Sequence, residues 1–317
     1  VLGQVLLETE PPIRALVLWG ANPAVTLPDA EATRRGLARD DLFTVVHEQF
    51  LTDTALYADV ILPATTQIEA VDVNPAWGHL WLGWNEPAIE PLGEAVNNSE
   101  CFRRIARAMG LTEPCLYDDD LTLLRAALPT VDLDALRRDG WVRVPFPESG
   151  TPWADGGFPT PSGRAEFVSS AMLAQGLPAL PTYSRAAEGP RSELAARYPL
   201  QLMTPKHHQR FLNSGYADLP RHGGAEGGPF VELDPVDAAA RGLADGDTAR
   251  VFNDRASLEL PVRLSTRVRP GVVAIPWGWW RKHHPDAHVA NSLTSRTLTD
   301  WGGGVAFYDT LVQVERA

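Results

Sequence analysis

The chain has 317 residues, 44% of them hydrophobic, and a formal net charge of −12 at pH 7. Because no basic stretch offsets that charge, the composition argues against DNA or another polyanion as the main partner. Cys101 and Cys115 are the only cysteines, which excludes a disulfide framework and a four-cysteine zinc or iron–sulfur site within this sequence. No apolar run has the length of a membrane span.

The first part of the chain alternates strand and helix signals. Apolar runs predict strands over 14–19, 43–46 and 59–62, with helices over 28–37 and near 53–57 between them. This βαβ rhythm is typical of a doubly wound, mainly parallel sheet covered by helices.

Three more helices are predicted downstream. Ser99 is expected to cap an amphipathic helix that ends at Gly110, and shorter helices follow over 119–127 and 133–138. The predicted apolar face of the first carries Phe102, Ile105, Ala106 and Met109. Prolines and glycines then predict a long loop over 144–163.

The pattern changes after a proline-rich, polar stretch over 178–197, where we place a domain boundary. Beyond it, one short helix over 235–241 interrupts a series of short strands, which favours a closed β-barrel over an open sheet. The predicted strands cover 200–203, 230–233, 248–252, 257–264, 272–275 and 310–314.

Polar side chains follow the first two predicted strands. The first strand ends in Gly20-Ala21-Asn22-Pro23, and the second ends in His47-Glu48. Parallel strands open on the same edge, so an amide and a carboxylate would converge there on one ligand, for instance the donor edge of a guanine-like base. The alternatives are an ordinary βα turn and a solvated glutamate at a strand end.

Two clusters in the second half could also carry chemistry. His207 and His208 would point to opposite faces of a strand, so they are poorly placed to chelate one metal, whereas Lys206 and Arg210 offer donors to phosphates. A polar loop is the alternative. Clustered tryptophans at 277–280 more often seal a core than stack on a cofactor, and the glycines at 302–304 allow a close backbone approach.

Taken together, these stretches resemble the molybdopterin oxidoreductases of the dimethyl-sulfoxide-reductase and formate-dehydrogenase type. The matching pieces run in family order along nearly the whole chain. They are LVLWGANP, VVHEQFLTDTALYADVILPATTQIEAVD, AIEPLGEAVNNSECFRRIARAMGL, PTPSGRAEF, LMTPKHHQRFLNSGY, VELDPVDAAARGLADGDTARVFNDRASLELPVRLSTRVRPGVVAIP and NSLTSRTLTDWGGGVAFYDTLVQVE.

The resemblance implies an α/β cofactor-binding domain over 1–190, partial in this chain, and a C-terminal double-psi β-barrel over 191–317. It also implies a set of contacts to the guanosine, phosphate and pterin parts of the cofactor. The implied cofactor-binding residues are Gly20, Asn22, Pro23, His47, Glu48, Asn98, Thr204, Lys206, His207, His208, Arg210, Asn213, Ser214, Trp280, Asn291, Gly303 and Gly304. Asn98 replaces a residue that is often acidic in the family, and His208 and Arg210 are the candidates for facing the metal.

The implied cofactor is bis-molybdopterin guanine dinucleotide with molybdenum or tungsten, in an enzyme that performs two-electron redox chemistry. The family's metal ligand and its iron–sulfur cysteines lie in earlier regions, so we expect neither in this chain. We therefore expect the C-terminal half of a cytoplasmic enzyme, inactive alone. Its expected partners are the upstream half, a small-molecule substrate and an electron-transfer partner. A non-catalytic nucleotide-binding or assembly module with the same fold is the alternative.

Overall fold

The computed structural model describes residues 1–154, 156–207, 218–219, 227–284 and 289–317. By contacts between residues, the chain forms two compact units, one of residues 1–61 with 174–317 and the other of residues 62–173. The first 61 residues thus group with the barrel. The domain boundary near residue 190 stays a prediction.

The first unit begins with a parallel βαβ arrangement. Strand β1 (Ala15–Trp19) pairs in parallel with β2 (Phe43–Glu48), in a register that sets Trp19 beside His47. Strand β3 (Val60–Pro63) is third in the sheet order. Helices α2 (Pro23–Thr26) and α3 (Ala30–Leu37) connect β1 to β2. The predicted parallel sheet is confirmed, and the predicted helix over 28–37 begins at residue 30.

A helix that the sequence pattern did not predict precedes this sheet. Helix α1 (Leu2–Glu8) has no side-chain cap, so its start carries no capping signal. It packs closely against α3, where a Cβ added to Gly3 would lie 2.5 Å from the Thr33 backbone nitrogen. Glycine at this position is therefore required by the close approach of the two helices. The core of this layer contains Leu6, Ala24, Leu37 and Leu42.

Residues 200–316 of the same unit include a closed barrel of six strands in the order β10-β8-β11-β7-β12-β9. Two pairs, β10 with β8 and β11 with β7, are parallel, whereas β8 with β11, β7 with β12, β12 with β9 and β9 with β10 are antiparallel. The fold is the double-psi β-barrel that the resemblance implied. Its strands are β7 (Leu200–Met203), β8 (Val231–Leu233), β9 (Thr248–Phe252), β10 (Ser257–Leu264), β11 (Val272–Ala274) and β12 (Leu311–Arg316).

Alternation of side chains explains why the sequence predicts these strands well. In β10, Leu258, Leu260 and Val262 point inward and are at most 1% exposed, whereas Glu259 is exposed. A strand with one buried face shows this period of two residues directly in its sequence. The short helix α8 (Pro235–Ala239) begins at Asp234, whose carboxylate accepts the Val236 N–H at 2.8 Å.

The second unit holds an antiparallel sheet that the sequence pattern did not predict. Its strands are β4 (Asp72–Asn74), β5 (Trp81–Asn85) and β6 (Trp141–Arg143). Leu82, Leu133 and Leu136 form the core beneath them. The helices of this unit are α4 (Asn98–Met109), α5 (Asp120–Ala127) and α6 (Leu133–Asp139), and α7 (Ser170–Ala174) spans the chain position at which the second unit ends. Short 3₁₀ turns occur at Ala55–Tyr57, Pro114–Tyr117, Glu193–Ala196, Arg281–His283 and Ala290–Ser292.

One detail predicted for α4 is wrong, the residue that caps it. Asn97, not Ser99, caps the helix, because the Asn97 Oδ1 atom accepts the Glu100 N–H at 2.8 Å. Ser99 lies within the first turn and donates instead to Asn97 and Asp120. Residues of the predicted apolar face differ in exposure, since Ala106 is 3% exposed, Phe102 38% and Met109 67%. The predicted end at Gly110 is confirmed by its left-handed φ of 68°.

Candidate functional site

The ends of β1 and β2 lie side by side, as the parallel pairing predicts. The Gly20 N–H donates to the His47 carbonyl at 3.1 Å. Gly20 has a φ of +54°, and a Cβ built there would meet nothing within 4 Å. The chain thus turns in an open, exposed position at the strand end, where a ligand could approach the backbone closely.

Asn22 does not face this open edge. It is fully buried, and its Oδ1 atom accepts the Thr54 N–H at 3.2 Å and the Thr54 hydroxyl at 2.7 Å. Thr54 in turn accepts the Ala24 N–H at 3.0 Å. Asn22 therefore fixes the start of α2, with Pro23 buried behind it. This geometry disfavours a direct ligand contact through the Asn22 carboxamide oxygen, and the contacts of Asn22 and Pro23 with guanosine stay predictions.

His47 and Glu48 differ in burial. His47 is 1% exposed, whereas Glu48 is half-buried at the end of β2. The Gln49 N–H donates to Glu48 Oε1 at 2.7 Å, and Glu48 Oε2 is buried without a hydrogen bond of normal geometry among the described residues. Burial raises the pKa of the Glu48 carboxyl, although the backbone N–H groups of Gln49 and Phe50 oppose the shift. The buried Oε2 atom is an acceptor suited to an N–H donor of a ligand.

A cavity of about 520 Å³ lies at one end of the barrel. It collects three of the predicted residues, Thr204, Lys206 and Asn291, from separate segments of the chain. The remaining lining residues are Thr26, Trp277, Thr299, Val305, Ala306, Phe307, Tyr308 and Asp309. Lys206 is exposed, so its ammonium group can reach a ligand in this space.

Backbone pairing brings the cavity walls together. Strands β7 and β11 run in parallel, and beyond their ends the Trp277 N–H donates to the Pro205 carbonyl at 3.0 Å. Lys206 and Trp277 are bridged at the same level. The parallel pairing thus continues past the barrel core and places a cation beside an indole at the cavity wall.

Asn291 joins the barrel to the first helices. Its Nδ2 atom donates to the Val25 carbonyl at 2.8 Å, and the Asp29 N–H donates to the Thr294 carbonyl at 3.2 Å. Thr26 is thereby held at the cavity together with Asn291. Asn291 is 2% exposed and its amide nitrogen holds the cavity wall, while its predicted contact with a pterin ring stays a prediction.

His207 and Trp280, two further residues predicted to bind the cofactor, are both buried. His207 is buried, with its ring centroid 5.2 Å from that of Trp279. Trp280 is 1% exposed and packs in a core cluster with Val25, Ala30 and Val289, which disfavours the predicted cofactor contact because no open face of the indole remains.

The predicted glycines lie close to the cavity. Gly303 is exposed with a φ of +61°, and no atom lies within 4 Å of a Cβ placed on it. The Thr299 N–H donates to the Gly304 carbonyl at 2.7 Å, which joins Gly304 to a residue of the cavity wall. Close backbone approach to a ligand is sterically open at both positions.

Five further residues were predicted to bind the cofactor. Asn98 is exposed at the first turn of α4 in the second unit, and its contact with the nucleotide stays a prediction. His208, Arg210, Asn213 and Ser214 lie outside the described residues.

No group of three or more His, Cys, Asp or Glu side chains that could hold a metal ion occurs in the described ranges. Among the same ranges, none of the helices has the length and apolar character needed to cross a bilayer.

Thr26, Trp277 and the segment 305–309 were not predicted as cavity residues. Thr26 ends the one-turn helix α2, and its hydroxyl donates to the Asn22 carbonyl at 3.1 Å. The sequence signal that could have identified Thr26 as a cavity residue is its polar side chain just after the turn that follows β1. Residues 305–309 carry no such signal, because only the folded barrel brings them to the cavity.

The carboxyl ends of parallel strands and the mouths of β-barrels are both places where such folds bind ligands. Two family descriptions match the chain: Molybdopterin oxidoreductase over residues 7–108, and Molydopterin dinucleotide binding domain over residues 200–311. The chain belongs to the molybdopterin oxidoreductase family.

Individual relatives agree with the family. The chain is 38% identical over 323 residues to the Bacillus subtilis protein named Probable oxidoreductase YoaE, covering 99% of this chain and 46% of that protein. It is 28% identical over 309 residues to dimethyl sulfoxide reductase DmsA of Escherichia coli, covering 86% of this chain and 37% of that protein. The chain therefore spans about half, or less, of the length of these relatives.

A solved structure supports the same fold. Acetylene hydratase from Pelobacter acetylenicus superposes with a TM-score of 0.84, covering 100% of this chain and 46% of that one, at 24% sequence identity. At this level of identity the likeness concerns the fold.

Proposed function

We propose that this chain is the C-terminal cofactor-binding portion of a molybdenum or tungsten oxidoreductase that uses bis-molybdopterin guanine dinucleotide. The observation that carries the proposal is the cavity of about 520 Å³, which collects Thr204, Lys206 and Asn291 from two separate parts of the family-matched barrel. The metal ligand and the iron–sulfur cysteines would be supplied by the remainder of the enzyme.

The donor and acceptor groups fit the proposed cofactor. Lys206 offers a cation to a phosphate, and Thr26, Thr204 and Thr299 offer hydroxyl groups around the same cavity. At the sheet edge, the buried Glu48 Oε2 atom lacks a hydrogen bond among the described residues and can accept from the N–H edge of a guanine. Both ends of a pterin guanine dinucleotide therefore have complementary groups in the chain.

In this proposal the residues of the chain bind and orient. Lys206 neutralises phosphate charge, Glu48 accepts from the base, and Gly20 leaves room for close approach at the strand end. Asn22 and Thr54 hold the turn that aligns these groups. When bound, the cofactor supplies the two-electron redox step, while the protein fixes its position and tunes its surroundings.

A charge-removal experiment tests the cavity assignment. In the intact gene product that contains this chain, Lys206→Gln should lower the guanine nucleotide retained after purification by about tenfold, since a charge-assisted phosphate contact is lost. Arg250→Gln is the matched control, because Arg250 lies on the outside of β9 and pairs with Glu315. Equal nucleotide content in Lys206→Gln, Arg250→Gln and the parent protein would contradict the assignment.

A further inference from the structure

A second cavity, of about 460 Å³, lies in the first unit and shares no lining residue with the barrel cavity. Its wall combines α3, the turn after β2 and the 3₁₀ turn Arg281–His283. The lining residues are Arg34, Asp53, Leu56, Tyr57, Arg281 and Lys282. Three of these six side chains are cationic, and one is acidic.

The acidic member is already committed to the backbone. Asp53 is 4% exposed, and its carboxylate accepts the Arg281 N–H at 2.6 Å and the Lys282 N–H at 3.1 Å. These donors stabilise its negative charge and direct its oxygens toward the turn. Asp53 therefore shapes the cavity wall, and its carboxylate is poorly placed to attract a cation there.

The cationic side chains differ in how many of their donor groups have a hydrogen-bond or ion-pair partner. Lys282 Nζ pairs with Asp218 at 2.6 Å and donates to the Leu51 carbonyl. Arg34 is 5% exposed, and its terminal nitrogens donate to Glu31, Ser292 and the Ala24 carbonyl. The Arg34 Nε atom, however, is buried without a hydrogen-bond partner among the described residues.

Arg281 is the lining cation that lacks an acidic partner. Across the described ranges its guanidinium group makes no ion pair or side-chain hydrogen bond, and the Tyr57 hydroxyl makes no hydrogen bond. The cavity thus presents unused donors and few unused acceptors. Such a set recognises an oxyanion, to which a guanidinium can donate two parallel hydrogen bonds.

The remaining wall is apolar. Leu56 is 65% exposed, and the Tyr57 ring lies next to it in the chain. A volume of about 460 Å³ exceeds what a bare phosphate needs, so the ligand would have an organic body as well as an anionic group. Leu56 and the faces of Tyr57 and Arg281 suit a planar or apolar body.

We propose that this cavity is a second ligand site, which binds a small molecule carrying a phosphate or carboxylate on an apolar or aromatic body. The inference does not rest on the proposed cofactor site, since the two cavities have no lining residue in common. A chain that fails to retain guanine nucleotide could still bind such a ligand here.

Calorimetric titration of the 317-residue chain with inorganic phosphate, phenyl phosphate and phenylacetate tests this site. We expect saturable binding of phenyl phosphate with a dissociation constant on the order of 1 mM or tighter, and binding of inorganic phosphate about fivefold weaker. The phenylacetate titration distinguishes carboxylate from phosphate as the preferred anion. Leu56→Ser should remove most of the difference between phenyl phosphate and inorganic phosphate.

Two substitutions of equal charge change locate the binding. Arg281→Gln should weaken phenyl phosphate binding by about tenfold, whereas Arg250→Gln, on the outside of β9 and in neither cavity, should change it less than about twofold. Tyr57→Phe removes one donor with little change of shape and should weaken binding about threefold, which keeps the test decisive if Arg281→Gln melts early by circular dichroism. Undiminished binding in both Arg281→Gln and Tyr57→Phe, an equal loss of binding in Arg250→Gln, or no saturable binding to the parent chain would overturn the proposal.

Discussion

Glu48 combines a stability cost with a proposed binding role. Its carboxyl group is half-buried, and burial raises its pKa above the usual 4.5. Above about pH 4.5 the folded chain therefore holds more protons at this site than the unfolded chain, and the contribution of Glu48 to stability falls as the pH rises through the folded pKa. A group that lowers stability at neutral pH in this way is often retained for a ligand.

Substitution of Glu48 by glutamine should therefore separate the two effects. We expect Glu48→Gln to raise the unfolding midpoint of the chain at pH 7, with a smaller gain at pH 4.5, because the amide carries no charge to desolvate. In the intact protein the same change should lower guanine nucleotide content about tenfold, since one acceptor becomes a donor. Thermal unfolding at both pH values and nucleotide analysis measure these effects. A less stable variant that keeps its nucleotide would contradict both.

Asn22 is expected to act through structure. Asn22→Ala removes the acceptor for two Thr54 donors and leaves them in a buried turn, which should cost about 2–4 kcal/mol of unfolding free energy. Urea unfolding of Asn22→Ala, Thr54→Val and the double variant measures the coupling between them. Additive effects of the two substitutions would show that this hydrogen-bonded pair does not hold the turn.

Among the elements, α4 carries a charge cluster with a defined pH dependence. Hydrogen bonds from Arg103 and Arg104, at 2.9 and 3.0 Å, are the largest causes that lower the pKa of Glu100 from 4.5 to about 2. A lowered carboxyl pKa contributes stability that is fully present above about pH 4.5 and is lost as the pH falls toward 2.

Glu100→Gln should consequently flatten the acid limb of the stability profile. We expect a smaller loss of unfolding free energy between pH 5 and pH 3 than in the parent chain, measured by urea titration with circular dichroism. Glu94→Gln is the control, since Glu94 has no arginine partner among the described residues. Parallel acid limbs for Glu100→Gln and the parent chain would show that the arginine cluster does not stabilise the folded chain.

The sequence predicted elements best where the local pattern reports the tertiary environment. The barrel strands alternate between core and solvent, so five predicted strands, those that became β7 to β11, agree with the observed ones within one residue at each end. Helix α1 lacks a cap, and no residue of β4 or β6 is fully buried, so neither strand shows a buried face in its sequence. These elements depend on packing partners distant in the chain.

The candidate site was likewise predictable where local sequence pattern determines it, and not where it depends on residues distant in the chain. The edge formed by Gly20 and Glu48 could be predicted because parallel strands open on one side. The burial of Asn22 could not, because its partner Thr54 lies 32 residues away. Nor could the core position of Trp280, which packs against Val25 and Ala30 from the opposite end of the sequence.

At the scale of the whole molecule, the chain spans about half of its relatives, and the proposal assigns the metal ligand to the remainder. We therefore expect the isolated chain to show no substrate turnover with an artificial electron acceptor, because positioning groups alone supply no redox centre. An acceptor-reduction assay with formate and with dimethyl sulfoxide is the measurement. Any turnover above that of the heat-denatured chain would contradict the assignment.

The most direct test of the cofactor-binding account is the composition of the purified intact gene product that contains this chain. Metal analysis by mass spectrometry and chromatography of acid-released nucleotide would be carried out on the same sample. We expect the protein to contain molybdenum or tungsten together with about two guanine nucleotides per metal, as a bis-dinucleotide cofactor requires. A folded, full-length protein that contains neither metal nor guanine nucleotide would contradict it and would favour a non-catalytic module with the same fold.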